Sequence, residues 1–326
     1  MAPKITADCH LYKLPNELLL YLLTPIPTPE LLPLTLISHR IYALILRILQ
    51  NRLVAAAELH SHSLLLECYQ PSAKLTEPSY FCSSHGTHGL CALSEHDTST
   101  AARLGEMRSL YSRFRPYRRE LETGDRRVRG PPGDVPGSRT FPGTASDRFE
   151  GETVRQTLSL DGDEWFTQLV AQTKLVKIGP RNGLYTSSVE IEEGVLRVWR
   201  KWLRRIADKG LSTTSLFVEP VAAKRGVTGE GPVRDATELH NDVNDERILW
   251  VTPAKNTGIR FNVREPKLRR DVPILVRTDE EDMHVSYDIE YDELLIRTSH
   301  LLLMLEKSLV QEDNSSGKAV VFGSFG

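Results

Sequence analysis

The segment from residue 34 to residue 57 constrains this chain most, because it is apolar on more than one side of a helix. A stripe with helical spacing is formed by Leu36, Ile37, Ile41, Leu44, Ile45, Ile48 and Leu49. Tyr42, Ala43 and Leu46 add apolar side chains outside that stripe. Such a helix needs cover on more than one side, and a small helical unit buries too little surface to supply it. We therefore expect this helix to dock onto another protein or another domain.

Prolines delimit shorter helices before this segment. Pro15 suits the first turn of a helix over 15–23, because its missing N–H has no partner there and its φ angle is already helical. Three alternating prolines between residues 25 and 29 end that helix. Residues 30–32 allow one further turn, and the composition of 14–69 as a whole predicts helices.

Two stretches of this region resemble an F-box. LPNELL at 14–19 is similar to the Leu-Pro-x-Glu-Leu/Ile-Leu opening of the family pattern. LTLISHRIYAL at 34–44 is similar to its later helix, with His39 where a Lys or Arg is commoner and Ile41 where Phe is usual. The resemblance implies a three-helix F-box module over residues 12–69.

The resemblance also implies a partner and a role. F-box helices bind the adaptor Skp1, and through it a cullin, in an SCF-type cullin-RING ubiquitin ligase, while the rest of the chain recruits a protein substrate. The positions that the resemblance implies for Skp1 binding are Leu14, Pro15, Leu18, Leu19, Leu36, Ser38 and Tyr42. The alternative is a helical hairpin packed only on the C-terminal part of its own chain.

The region from 92 to 151 differs in composition. Residues 103–122 are charged and could form a helix up to Pro116, and proline and glycine without periodicity follow from Gly130. Such sequence buries too little apolar surface to offset the entropy lost on ordering. We predict a flexible linker over 92–151.

A β-rich domain is predicted over 152–312, with a mobile loop at 223–245 and a tail at 313–326. Apolar residues alternate with polar ones from 154 to 160, as in a strand with one solvent face. Further strands are predicted at 174–178, 184–191, 247–252, 258–263, 273–277 and 284–291. Short strands separated by turns favour an antiparallel sandwich, so the predicted fold class is α+β.

Two segments fit a helix and a strand equally well. Residues 194–206 and 293–309 show both periodicities. Parts of both segments also resemble the C-terminal region of a group of fungal F-box proteins, which implies no particular substrate.

Candidate chemistry is sparse, and we predict a non-catalytic chain without cofactor or bound metal. Trp199 and Trp202 stand among basic residues and are weak candidates for a platform on which a ligand stacks. Glycan binding through such a platform is an alternative function. Core packing of the two tryptophans is favoured over any ligand platform. For the acidic run at 279–282, we predict an ordinary hairpin turn and not a Ca²⁺ site. One run has zinc-binding residue types without the longer central spacer of zinc fingers: Cys82, His85, His88 and Cys91.

Charge and cysteine content bear on compartment and partners. Lys and Arg total 41 against 43 Asp and Glu, a formal net charge of -2, so no global basic field recruits nucleic acid or a membrane. The most apolar stretch, 31–49, is interrupted by Pro33, His39 and two arginines. Four cysteines are too few for a disulfide framework. We expect a cytoplasmic or nuclear protein.

Overall fold

Three helices form the N-terminal part of the protein in a computed structural model. It describes residues 13–74, 77–87, 89–90, 100–118, 152–178, 185–214, 243–265 and 285–314. The helices are α1 Asn16–Leu23, α2 Thr28–Leu34 and α3 His39–Glu58. Pro15 and Pro27 occupy the N-cap positions of α1 and α2. The sequence predicted a proline start for α1 only, and α2 is longer than the single turn expected at 30–32.

Three further helices and ten strands follow in the described part of the chain. The helices are α4 Thr100–Ser109, α5 Arg200–Thr214 and α6 Thr298–Asn314. The strands are β1 His62–Tyr69, β2 Tyr80–Thr87, β3 Tyr111–Arg118, β4 Glu152–Thr153, β5 Arg155–Leu160, β6 Phe166–Ile178, β7 Tyr185–Trp199, β8 Ile248–Trp250, β9 Thr257–Arg264 and β10 Val285–Arg297.

The strands form one antiparallel sheet in the order β7-β6-β1-β2-β3-β10-β9-β8, with β4 beside β3 and β5 beside β10. The sheet curls until its ends nearly meet. Gly194 of β7 approaches the chain just beyond β8 so closely that a Cβ there would lie 2.7 Å from the Val251 carbonyl oxygen. Thr252 also donates a hydrogen bond to Glu192. The α+β class and the antiparallel pairing are confirmed, but one continuous sheet stands where a sandwich was expected.

Two segments differ from the sequence prediction. Residues 62–69, assigned to the helical module, form β1 in the middle of the sheet, paired with β6 and β2. Leu64, Leu66 and Cys68 alternate inward, but Leu65 is buried as well, which hid the period of two.

The predicted linker 92–151 is folded in part. Residues 100–109 form α4 and 111–118 form β3. Ser112 and Pro116 occupy the positions two residues to either side of Phe114, so Phe114 is the one large apolar residue in that alternating series of β3, and it lies in the core. The remainder of the linker, the predicted strand 273–277 and most of the loop 223–245 lie outside the described residues, and so does the tail apart from the last turn of α6.

Both ambiguous segments contain a strand followed directly by a helix. β7 ends at Trp199 and α5 begins at Arg200. β10 ends at Arg297 and α6 begins at Thr298. In each segment, the strand periodicity therefore applies to the first part and the helical periodicity to the second.

Two apolar clusters make up the core. The larger lies inside the curled sheet. There the Tyr291 ring packs at a tilt against the rings of Tyr80 and Phe261, with centroid distances of 5.8 and 5.1 Å. Leu203 and Ile206 of α5 pack against it. The smaller cluster surrounds α3. α6 contacts both, since Leu301 belongs to the first and Leu302 to the second.

The extra apolar sides of α3 are covered by this chain itself. Ile41, Ile45 and Leu49 are buried in the smaller cluster together with Met107 of α4 and Leu302 of α6. Leu46, outside the predicted stripe, is buried in the same cluster, and Tyr42 packs against it. The cover expected from another protein or another domain therefore comes from other elements of the same chain. Leu36 and Ile37 also leave the predicted stripe, because α3 begins after Ser38 and both precede it in a turn. No helix among the described residues is long and apolar enough to cross a bilayer.

Candidate functional site

Exposed apolar side chains concentrate on α1, α2 and the turn that follows α2. Six of the twelve large exposed hydrophobic residues in the described chain lie between residues 18 and 37, with Leu36 89% and Tyr21 80% exposed. We call this set the N-terminal apolar surface, and it comprises Leu18, Tyr21, Leu22, Leu32, Leu36 and Ile37. Exposed apolar side chains in this number within one short segment indicate a binding site for another protein.

The helical period of α1 explains which of its residues face solvent. Leu19 is buried, and Leu20 and Leu23 pack against the cluster around α3. Leu18 and Leu22 are one turn apart and therefore share the opposite side of α1. The helix thus holds one apolar face on the core and presents a second one to solvent.

A polar clamp fixes the loop between α1 and α2 to the rest of the molecule. Arg52 of α3 donates to the carbonyl oxygens of Thr24 at 2.8 Å and Ile26 at 2.6 Å. Arg52 Nη1 also lies 3.0 Å from a carboxylate oxygen of Glu306 on α6. Glu306 in turn accepts hydrogen bonds from the backbone N–H and the hydroxyl of Thr28, at the first turn of α2. A carboxylate there satisfies a free donor and suits the helix dipole.

Ser38 and Arg40 have roles within the chain. The Ser38 hydroxyl accepts a hydrogen bond from the backbone N–H of Ile41 at 3.3 Å and so caps α3. Arg40 donates to the side chain of Asn16 at 2.8 Å and to the carbonyl of Leu14. These contacts hold the start of α1 against the start of α3, which explains why the two motif segments are spatially adjacent.

The seven residues predicted for Skp1 binding fall into different environments. Leu18 and Leu36 are exposed and belong to the N-terminal apolar surface. Pro15 is exposed at the N-cap of α1, while Leu14, Ser38 and Tyr42 are half-buried and Tyr42 packs against the smaller cluster. Leu19 is only 3% exposed, so it supports the helix from within.

Four members of the N-terminal apolar surface were missed from the sequence. Tyr21 and Leu22 follow Leu18 at helical spacings of three and four, which is a signal that could have found them. Leu32 and Ile37 carry no such signal, because their exposure depends on where α2 ends and α3 begins.

Trp199 and Trp202 are separated by the structure. The indole N–H of Trp202 donates to the Glu246 carbonyl at 2.8 Å, and its ring meets Phe261 edge-on at 6.4 Å. Trp202 therefore packs at the margin of the core, in agreement with the core-packing alternative. Trp199 is 47% exposed on the outer side of β7 and packs against Phe166, with ring centroids 5.1 Å apart.

The Cys and His run does not converge in the described residues. Cys82 packs against the main core, and burial raises the pKa of its thiol far above the ordinary value, which disfavours the thiolate that binds zinc. His85 is largely exposed and lies 3.5 Å from Glu293 instead. No group of three or more potential metal ligands occurs among the residues described. His88, Cys91 and the acidic run 279–282 lie outside them.

Comparisons with family models, with curated proteins and with solved structures found no match to this chain.

Proposed function

We propose that this protein is an F-box-type adaptor, which binds a Skp1-like protein and recruits a protein substrate to an SCF-type cullin-RING ubiquitin ligase. The observation that supports this most is the N-terminal apolar surface. Half of the large exposed hydrophobic residues of the described chain lie between residues 18 and 37. Three of them, Leu18, Leu36 and Ile37, lie in the two stretches that resemble the F-box motif.

Rigidity of this surface supports the same role. The α1–α2 loop is held by Arg52 and Glu306, and the start of α1 is held by Arg40. A surface that is already ordered loses little conformational entropy when a partner binds. The clamp also connects this surface to α6, so a bound adaptor would have a fixed position relative to the sheet.

The mechanism is proximity without chemistry from this chain. Holding a substrate beside a ubiquitin-conjugating enzyme raises the effective concentration of the reacting groups. The chain then needs two surfaces, one for the adaptor and one for the substrate.

Binding of the full chain to a purified Skp1 homologue, measured by isothermal titration calorimetry, tests the proposal. Leu18→Asp and Leu36→Asp each place a charge in the N-terminal apolar surface, at positions outside both apolar clusters. We expect each to weaken binding by about tenfold or more. Val54→Asp is the matched control, because Val54 is 39% exposed on α3 and outside that surface. Full affinity in both surface variants, or no binding by the wild type, would refute the proposal.

A structural role without a ubiquitin partner is the second candidate, and one observation favours it. The long helix α3 is covered by α4, α6 and the sheet of its own chain, as the hairpin alternative required. That role leaves the N-terminal apolar surface without a purpose, which is why we place it second.

A further inference from the structure

A second exposed apolar site lies on the outer side of the β6–β7 hairpin, far along the chain from the N-terminal helices. Val195 is 55% and Trp199 47% exposed, and Arg197 between them is exposed as well. Leu196 and Val198 alternate with them and are buried. We call Phe166, Val195, Arg197 and Trp199 the tryptophan surface.

The guanidinium of Arg197 lies over both aromatic rings of this surface. It lies 4.9 Å from the ring centroid of Phe166 on β6 and 5.8 Å from that of Trp199. Phe166 and Trp199 are directly paired across the two strands. An arginine beside aromatic rings keeps N–H groups with which it can bind a carboxylate through two hydrogen bonds.

Further exposed cations follow along the chain, on α5. Lys201, Arg204 and Arg205 are exposed on the first turns of that helix. Arg205 lies 3.7 Å from Glu246, whereas Arg197, Lys201 and Arg204 have no carboxylate within 4.0 Å in the described part of the chain. Arg197 is the cation that lies within the tryptophan surface, and a ligand with negative charge would complement it.

We propose that the tryptophan surface binds an acidic peptide in an extended conformation. A carboxylate pairs with Arg197, and apolar side chains two residues to either side pack on Val195 and Trp199. Same-side residues of an extended chain repeat every 6.8 Å or so, which is also the spacing of Val195, Arg197 and Trp199 on β7.

The composition of the surface favours a peptide over the other ligands that stack on tryptophan. Single-stranded nucleic acid requires successive aromatic rings for its bases, and Val195 at one end of the row is aliphatic. A neutral glycan gains no ion pair from Arg197. This inference concerns a different surface from the one proposed for Skp1, so either can fail without the other.

A displayed library of random twelve-residue peptides, selected against the full-length protein, tests the proposal. We expect the enriched peptides to share an Asp or Glu with large apolar residues two positions before and after it. Fluorescence anisotropy with one such synthetic peptide should then show an affinity that falls as salt is added. Arg197→Glu and Trp199→Ala should each weaken binding by about tenfold or more.

Two variants at other exposed sites serve as matched controls. Arg108→Glu on α4 and Val54→Ala on α3 should leave the peptide affinity unchanged, and a thermal melt of each variant verifies that it is folded. The proposal is overturned if selection yields no peptide whose binding depends on Arg197 and Trp199. It is equally overturned if oligothymidylate or a neutral oligosaccharide occupies the surface through Trp199 while acidic peptides do not.

Discussion

At the scale of single residues, a row of charged side chains ties four strands together on the side of the sheet opposite the main core. Glu293 of β10 accepts a hydrogen bond from Arg260 of β9 at 2.8 Å and lies 3.6 Å from Arg113 of β3. The side chains of both arginines are only 7% exposed. His85 of β2 reaches the other carboxylate oxygen of Glu293 at 3.5 Å. A buried cation that loses its anion is costly, so Glu293 holds this row together.

Asp245 extends the row at its far end. Its carboxylate lies 2.6 Å from the Arg247 guanidinium and 3.6 Å from that of Arg260. Burial alone would raise the pKa of this carboxyl, but hydrogen bonds from Arg247 and the charges of both arginines outweigh burial and hold the pKa below its ordinary value. Asp245 therefore remains charged in mildly acidic solution.

Replacing Glu293 by Gln should lower the free energy of unfolding by about 3 kcal/mol, because two buried guanidinium groups lose their shared anion. Urea denaturation monitored by circular dichroism measures this change. Glu193→Gln makes the same substitution at an exposed position on β7 and should change stability by no more than about 0.5 kcal/mol. Equal stability of the two variants would show that the row contributes nothing.

The sequence could not reveal this row, although it did reveal part of the N-terminal surface. Arg113, Arg260 and Glu293 are far apart in the chain and meet only through strand pairing. Irregularities in register at residues 84–86 and 291–293 then decide which side chains point outward there. Leu18 could be predicted, because its neighbours lie within one helix.

At the scale of elements, periodicity predicted the long regular helices and strands and failed where apolar or charged residues broke the pattern. α1 and α3 were predicted within a few residues, and β5, β9 and β10 overlap their predicted strands. β1 and β3 were missed because their inward positions do not alternate as apolar residues against polar ones. The curling of the sheet also depends on a close approach that no local pattern encodes, at Gly194.

Gly194→Ala should destabilise the protein by about 1–3 kcal/mol, because the new Cβ would overlap the Val251 backbone where β7 meets the end of β8. Gly105→Ala is a control of the same chemistry. Gly105 lies within α4 with open space around it, so alanine there should stabilise the helix by about 0.5–1 kcal/mol. Thermal denaturation of both variants measures the difference. A harmless Gly194→Ala would mean that the edges of the sheet are not in contact.

At the scale of the whole molecule, the N-terminal helices and the sheet form one structural unit. β1 follows α3 directly and lies between β6 and β2, and α3 packs on α6. A fragment that ended near residue 70 would carry β1 without its partner strands. Experiments on the N-terminal surface therefore require the full chain.

Differential scanning calorimetry of the full chain should show one unfolding transition, because separating α3 from α6 would expose the smaller cluster and break the clamp at Glu306. Arg52→Met removes the cation of that clamp and should lower the melting temperature of the whole transition. Two well-separated transitions would contradict this, since they would mean that the helices and the sheet unfold independently.

Hydrogen–deuterium exchange of the full-length protein, with and without a purified Skp1 homologue, tests the location of the adaptor site most directly. We predict that binding slows exchange in α1, α2 and the turn at residues 35–37, and leaves β6, β7 and α5 unchanged. Exchange that is the same with and without the homologue, or slowing confined to the sheet, would contradict the proposal that the N-terminal apolar surface binds Skp1.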